Sequence, residues 1–121
     1  MKKLIDANVI LRYLLNDHPE YSERARKVIA EGTYTLPEVI AEVVYVLKGV
    51  YKVGRDEISN TLIDFMDEVA IDNQEVITLA LSLYAETTLD FVDCILIACH
   101  RITGVDAVSY THLTLPTKLE V

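Results

Sequence analysis

Asp6, Glu42, Asp90 and Asp93 are the acids whose surroundings in this 121-residue chain set them apart from ordinary surface charge. Asp6 directly follows Leu4-Ile5, which reads as a short strand, and in an open α/β fold that position is the carboxyl edge of the sheet, where ligands gather. Asp6 or Asn8 can equally serve there as the N-cap of a following helix. Glu42 lies in a helix predicted over 37–51. At about 100° per residue it borders an apolar stripe of Val39, Val43, Val46, Leu47 and Val50. A Glu at such a border either edges a site or reaches out to solvent. Asp93 is followed one turn on by Leu96 and Ile97, and an ionised carboxylate on that apolar face is costly unless a cation or donors answer it. Its local use is a capping-box-like start, with Asp90 as N-cap and Asp93 as the third helical residue. Taken together, these acids form an oxygen-only donor set of the kind that Mg²⁺ or Mn²⁺ prefers. The chemistry such a set supports is phosphodiester hydrolysis, in which two ions about 4 Å apart activate water and stabilise the leaving oxygen.

The elements that must position these acids alternate between short strands and helices. After Asp6, Val9, Ile10, Tyr13 and Leu14 recur at helical spacing until Asn16-Asp17-His18-Pro19. Pro19 opens a second helix that Gly32 ends. Thr33-Tyr34-Thr35-Leu36 is a brief strand, and Thr35 with Glu38 makes a capping box for the next helix. Further helices are predicted over 55–65, 74–86 and 91–102, with strands over 68–71 and 105–110. The helix over 91–102 is apolar almost all round, which predicts burial between other elements. This alternation predicts an α/β fold in three layers, a central mostly parallel sheet flanked by helices.

Half of the residues are apolar (51%) and 25% are charged, a balance that fits one globular domain and excludes a disordered tail or a collagen. Lys plus Arg number 11 and Asp plus Glu 19, a net charge of −8, which argues against coating nucleic acid by bulk electrostatics. A nuclease is compatible with that charge, because cations bound by a carboxylate site reverse the local field. Asp6, Asn8 and Arg12 interrupt any leader-like apolar core, and no apolar run approaches membrane-spanning length, so a cytoplasmic protein without a membrane segment is expected. Cys94 and Cys99 are expected as free, buried thiols.

Three stretches resemble the motif blocks of PIN-domain ribonucleases, in particular VapC-type toxins of bacterial and archaeal toxin–antitoxin pairs: Ile5-Asp6-Ala7-Asn8-Val9-Ile10-Leu11-Arg12-Tyr13-Leu14, Glu38-Val39-Ile40-Ala41-Glu42-Val43-Val44 and Leu89-Asp90-Phe91-Val92-Asp93-Cys94-Ile95-Leu96. The resemblance implies a PIN-like fold over 1–107 and names Asp6, Glu42 and Asp93 as the catalytic, metal-binding acids. Asp90 becomes an auxiliary acid and Asn8 a polar neighbour. It further implies Mg²⁺ or Mn²⁺ as cofactor, RNA as substrate, a homodimer, and an antitoxin protein that blocks the site. Arg12, Lys48, Lys52 and Arg55 are the cations available to position an RNA backbone, and Ile10, Tyr13, Leu14 and Tyr34 leave room for a dimer interface.

The fourth motif departs from the family pattern, which runs the last core strand into a Thr-Phe-Asp-like segment. Here Ser109-Tyr110-Thr111-His112-Leu113 puts Thr111 where the acid belongs, and a hydroxyl brings no charge. His112 is a poor substitute, since Mg²⁺ disfavours imidazole. Residues 108–117, Val-Ser-Tyr-Thr-His-Leu-Thr-Leu-Pro-Thr, resemble a reading-frame translation of the transposon-end adapter used in sequencing libraries. The expected organisation is therefore a domain over 1–107 followed by a foreign segment over 108–121. The leading function is a metal-dependent endoribonuclease toxin. The alternative is a catalytically impaired PIN-like module that binds RNA or protein. A phospho-accepting receiver domain is disfavoured, because neither its adjacent acid pair nor its last-strand Lys stands in place.

Overall fold

A computed structural model describes residues 3–16 and 18–104 of the chain. The elements run β1 (Lys3–Leu4), α1 (Ala7–Leu15), α2 (Pro19–Ala30), β2 (Thr33–Thr35), α3 (Pro37–Gly49), α4 (Arg55–Phe65), β3 (Ala70–Ile71), α5 (Gln74–Glu86) and α6 (Phe91–Thr103). The three strands form one parallel sheet in the order β1-β2-β3, with Leu4 opposite Tyr34 and Thr35 opposite Ile71. Each strand-to-strand connection carries two helices, as parallel pairing requires. The α/β class, the parallel sheet and the flanking helices agree with the sequence. Because every described strand points the same way, their carboxyl ends share one edge, where Asp6, Leu36 and Asp72 follow in turn.

Apolar periodicity explains why these helices close over the sheet. Ile40, Val43, Val44 and Leu47 are buried at the i, i+3, i+4, i+7 spacing of a core-facing helix, and they meet Ile5, Ile10, Ile58, Leu62, Ile77 and Leu81 in a single core. Burying an aliphatic side chain of this size stabilises the fold by about 1.5–3 kcal/mol. Thr35 is buried as well, and its hydroxyl donates to the Ile5 carbonyl at 3.1 Å, tying β2 to the end of β1. The turn into β2 uses Gly32 at φ +94°, a conformation that side chains with a Cβ resist.

Several local expectations are corrected. The strand expected over 68–71 shrinks to Ala70–Ile71, since Glu68 and Val69 donate back to the Phe65 carbonyl and extend the helical turn. The helix expected over 37–51 ends at Gly49, and Val50, placed in its apolar stripe, is 68% exposed. The buried stripe is rotated: Ile40 and Val44 replace Val39 and Val46 at its centre, which leaves Glu42 exposed on roughly the opposite face. The Thr35–Glu38 capping box does not form. Leu36 is the N-cap, and the Thr35 hydroxyl is spent on Ile5. Asp90 occupies the N-cap of α6 but makes no side-chain cap bond. Helix α6 buries one face, Phe91, Cys94 and Ala98, while Ile95, Leu96 and Ile97 are half-buried and Asp93 is exposed. The expected desolvation of Asp93 is therefore absent. Cys99 is half-buried where burial was expected. Ile10 lies in the core rather than on an interface, and Tyr13 is taken up by Phe65 and Glu68. The strand expected over 105–110, the boundary at 107/108, Thr111 and His112 lie outside the described residues.

Candidate active-site edge

Asp6 is built by two elements at once. Strand β1 delivers it to the carboxyl edge, and extended backbone (φ −97°, ψ −179°) makes it the N-cap of α1, where its Oδ1 accepts the Val9 N–H at 3.1 Å. The first turn of α1 holds no acid of its own, and the Asp6 carboxylate meets the positive end of that helix. Both uses foreseen for Asp6, cap and carboxyl-edge acid, are thus compatible. A shallow hollow beside it is lined by Leu4, Ile5, Val9, Val28 and Val39, which brings the start of α3 against the first motif.

Helix α3 links the acids. Its Val39 side faces the Asp6 hollow, and its Ala41–Tyr45 side faces a second hollow shared with Lys48, Asp90 and Val92 at the start of α6. Glu42 falls between these two sides. Glu38 and Ala41 border a third hollow with Asp72, Asn73, Val92 and Leu96. Asp6, Glu42, Asp90 and Asp93 are all exposed, and among the described residues no group of three or more His, Cys, Asp or Glu side chains is close enough to hold a metal ion. The donor chemistry is that of a hard cation. The described residues do not by themselves gather it into one site.

Asp72 was not singled out in the sequence, although its signal is the one that marked Asp6: an acid directly after a strand, here β3. Tyr21 and His18 were missed because no periodicity marks them. Their rings lie 4.4 Å apart, and the guanidiniums of Arg12 and Arg24 sit 5.5 Å and 5.9 Å from the Tyr21 centroid. Arg55, offered as an RNA-positioning cation, is engaged elsewhere. It stacks 3.7 Å over Tyr84, its Nε donates to the Tyr84 carbonyl at 2.7 Å, and its Nη2 donates to the Leu89 carbonyl. That clamp fixes the loop leading to Asp90. Thr87 reinforces it, its hydroxyl donating to the Leu83 carbonyl at 2.8 Å and accepting from the Leu89 N–H at 3.3 Å. Burial pushes the Cys94 thiol and the Tyr84 phenol above their ordinary ranges, and the hydrogen bond to Glu68 does the same for Tyr13. These three groups stay protonated near neutrality and offer no nucleophile to the edge.

The profile of the PIN domain family matches residues 3–111, nearly the whole chain. No curated protein matches the chain.

Proposed function

Since this chain belongs to the PIN-domain family, whose members are generally nucleases that cleave RNA and typically use divalent metal ions, we propose that it is a Mg²⁺- or Mn²⁺-dependent endoribonuclease and the toxin of a toxin–antitoxin pair. The family match carries the reading, and Asp6 at the carboxyl end of β1 supports it, because that position is where such a fold concentrates ligand contacts. Asp6, Glu42 and Asp93 are the proposed metal-binding acids, with Asn8 and Asp90 beside them. A divalent ion, when bound, supplies Lewis acidity and lowers the pKa of a coordinated water. The chain's own part is positional: the Val9 amide orients Asp6, α3 carries Glu42 between the two motif hollows, and the Arg55 clamp holds the loop that presents Asp90 and Asp93. A cognate antitoxin and a homodimer complete the proposal. No helix among the described residues is long and apolar enough to cross a membrane.

Incubation of the purified chain with single-stranded RNA and Mn²⁺ tests this directly. Cleavage that disappears with EDTA and in Asp6→Asn is the expected result, and RNA left intact under every divalent ion overturns the reading for this chain. Thr111 in place of an acid favours one second reading, a PIN-like module that binds RNA or a protein without cutting. Cleavage gained in Thr111→Asp assigns the inactivity to that position. The proposal that residues 108–121 are foreign to the gene is checked by resequencing native DNA, and recovery of the same tail would refute it.

A further inference from the structure

Tyr45 is 80% exposed, more than any other large apolar or aromatic side chain among the described residues. It borders the second hollow, about 150 Å³ between α3 and the start of α6, together with exposed Lys48 and Asp90, and buried Val44, Tyr84 and Phe91 lie beneath. That floor is rigidly packed: Tyr84 meets Phe91 edge-on at 5.8 Å and carries the Arg55 guanidinium at 3.7 Å. Exposure alone would not mark the ring, since single surface aromatics are ordinary. Its neighbours on α3 do. Glu42, Tyr45 and Lys48 follow at three-residue steps, each a helix-surface neighbour of the next. From acid to ammonium the run covers about 9 Å along the axis, two to three stacked nucleotides at about 3.4 Å each. The Lys48 ammonium makes no ion pair or hydrogen bond among the described residues. An exposed aromatic face with a cation one turn away is an arrangement that holds single-stranded nucleic acid without reading sequence: a base stacks on the ring and the cation takes the backbone.

We propose that Tyr45 is a base-stacking platform for single-stranded RNA and that Lys48 takes the adjoining phosphate. The carboxylates of Glu42 and Asp90 set the polarity of the contact: they repel a phosphate from the acid side of the ring, which leaves the Lys48 side for the backbone. The proposal rests on the ribonuclease reading for the fate of the strand at Glu42 and Asp90; the platform's affinity for RNA is separable from cutting. A second copy of the chain suits this surface less. Interface cores are depleted in charge, and a protein covering Tyr45 would take Glu42, Lys48 and Asp90 out of water with it. RNA answers the ammonium and leaves both carboxylates solvated.

Fluorescence anisotropy with an unstructured oligoribonucleotide of about 10 nucleotides, in EDTA at low salt, measures binding without cleavage. Tyr45→Ala is expected to weaken binding roughly tenfold with thermal unfolding unchanged, and Tyr45→Phe to retain it. Lys48→Gln should weaken it and flatten the slope of log affinity against log salt by about 0.7. The chain has no Trp, so Tyr45→Trp adds a single indole at the platform. A base stacked there should quench its emission, saturating at the same RNA concentration as the anisotropy. Unchanged affinity in Tyr45→Ala, an indole unquenched at saturation, or no saturable binding by the unmodified chain overturns the platform. If the ring docks a second copy instead, the indole emission shifts with protein concentration before RNA is added, and sedimentation finds a dimer that Tyr45→Ala breaks; that result also overturns it. The Mn²⁺ cleavage assay runs in parallel. Tyr45-dependent binding without cleavage keeps the platform and removes the ribonuclease reading, whereas cleavage with unchanged binding in Tyr45→Ala and Lys48→Gln does the reverse.

Discussion

Replacing Arg55 with Met removes the clamp between α4 and the loop before α6 while keeping an unbranched apolar stem. A hydrogen bond from a charged donor contributes about 1.5–3 kcal/mol, and the bond to the Tyr84 carbonyl at 2.7 Å is part-buried, so it counts at the lower end of that range. The bond to the Leu89 carbonyl is exposed and contributes a fraction of it. Stacking at 3.7 Å over Tyr84 adds about 1 kcal/mol. The expected loss is about 3 kcal/mol, which lowers the Tm of a domain this size by about 10 °C. The chain has no Trp, so urea unfolding is followed by far-UV circular dichroism. Arg55→Lys should recover less than half of the loss, because a single ammonium cannot span two carbonyls while stacking on the ring. A loss below about 1 kcal/mol in Arg55→Met, or full recovery by Lys, would refute the clamp.

Asp6→Asn separates the two duties of that residue: Asn caps nearly as well as Asp, so unfolding should shift by less than about 0.5 kcal/mol while Mn²⁺-dependent RNA cleavage is lost; Asp6→Ala should cost about 1 kcal/mol as well. Tyr13 donates to Glu68 at 2.7 Å and its pKa is raised from the ordinary 10.0, so the stability it contributes is complete below that value and lost as pH rises through the higher folded-state pKa. Tyr13→Phe should therefore flatten part of the alkaline fall in unfolding free energy, to which Tyr84 and Cys94, also shifted upward, contribute as well. Alkylation under native conditions should modify half-buried Cys99 well before Cys94, whose thiol is buried and shifted upward; mass spectrometry of the tryptic peptides reads the order.

The parallel α/β plan was legible because it depends on coarse periodicity: Pro19, Pro37, Gly32 and Gly104 punctuate the helices as written in the sequence. Side-chain hydrogen-bond choices were less legible. Thr35 offered a hydroxyl to either Glu38's helix or the neighbouring strand, and the buried Ile5 carbonyl won, since an unpaired buried acceptor costs more than an uncapped helix start. The α3 stripe was misjudged by a rotation because Val39, Ile40, Val43, Val44, Val46 and Leu47 are all apolar, and such a surplus defines two overlapping faces. Only packing against α1, α4 and α6 selects one. Arg55 was misread for a related reason, as sequence gives a cation no hint of carbonyls that come from 29 and 34 residues away. Asp6 follows β1 and caps α1 as its position in the sequence suggested, Asp90 stands at the N-cap of α6 without a capping bond, and Asp93 is exposed, without the apolar surroundings that had made it stand out.

The capping bond at Asp6 makes its two oxygens unequal. Oδ1 already accepts the Val9 amide at 3.1 Å, so Oδ2 is the oxygen with both lone pairs open to an incoming cation or hydroxyl, and two-point chelation would compete for the oxygen that holds the first turn of α1. A ligand that grips both oxygens would thus announce itself by faster hydrogen exchange at the Val9 amide, whereas one-point contact would leave that amide as protected as before.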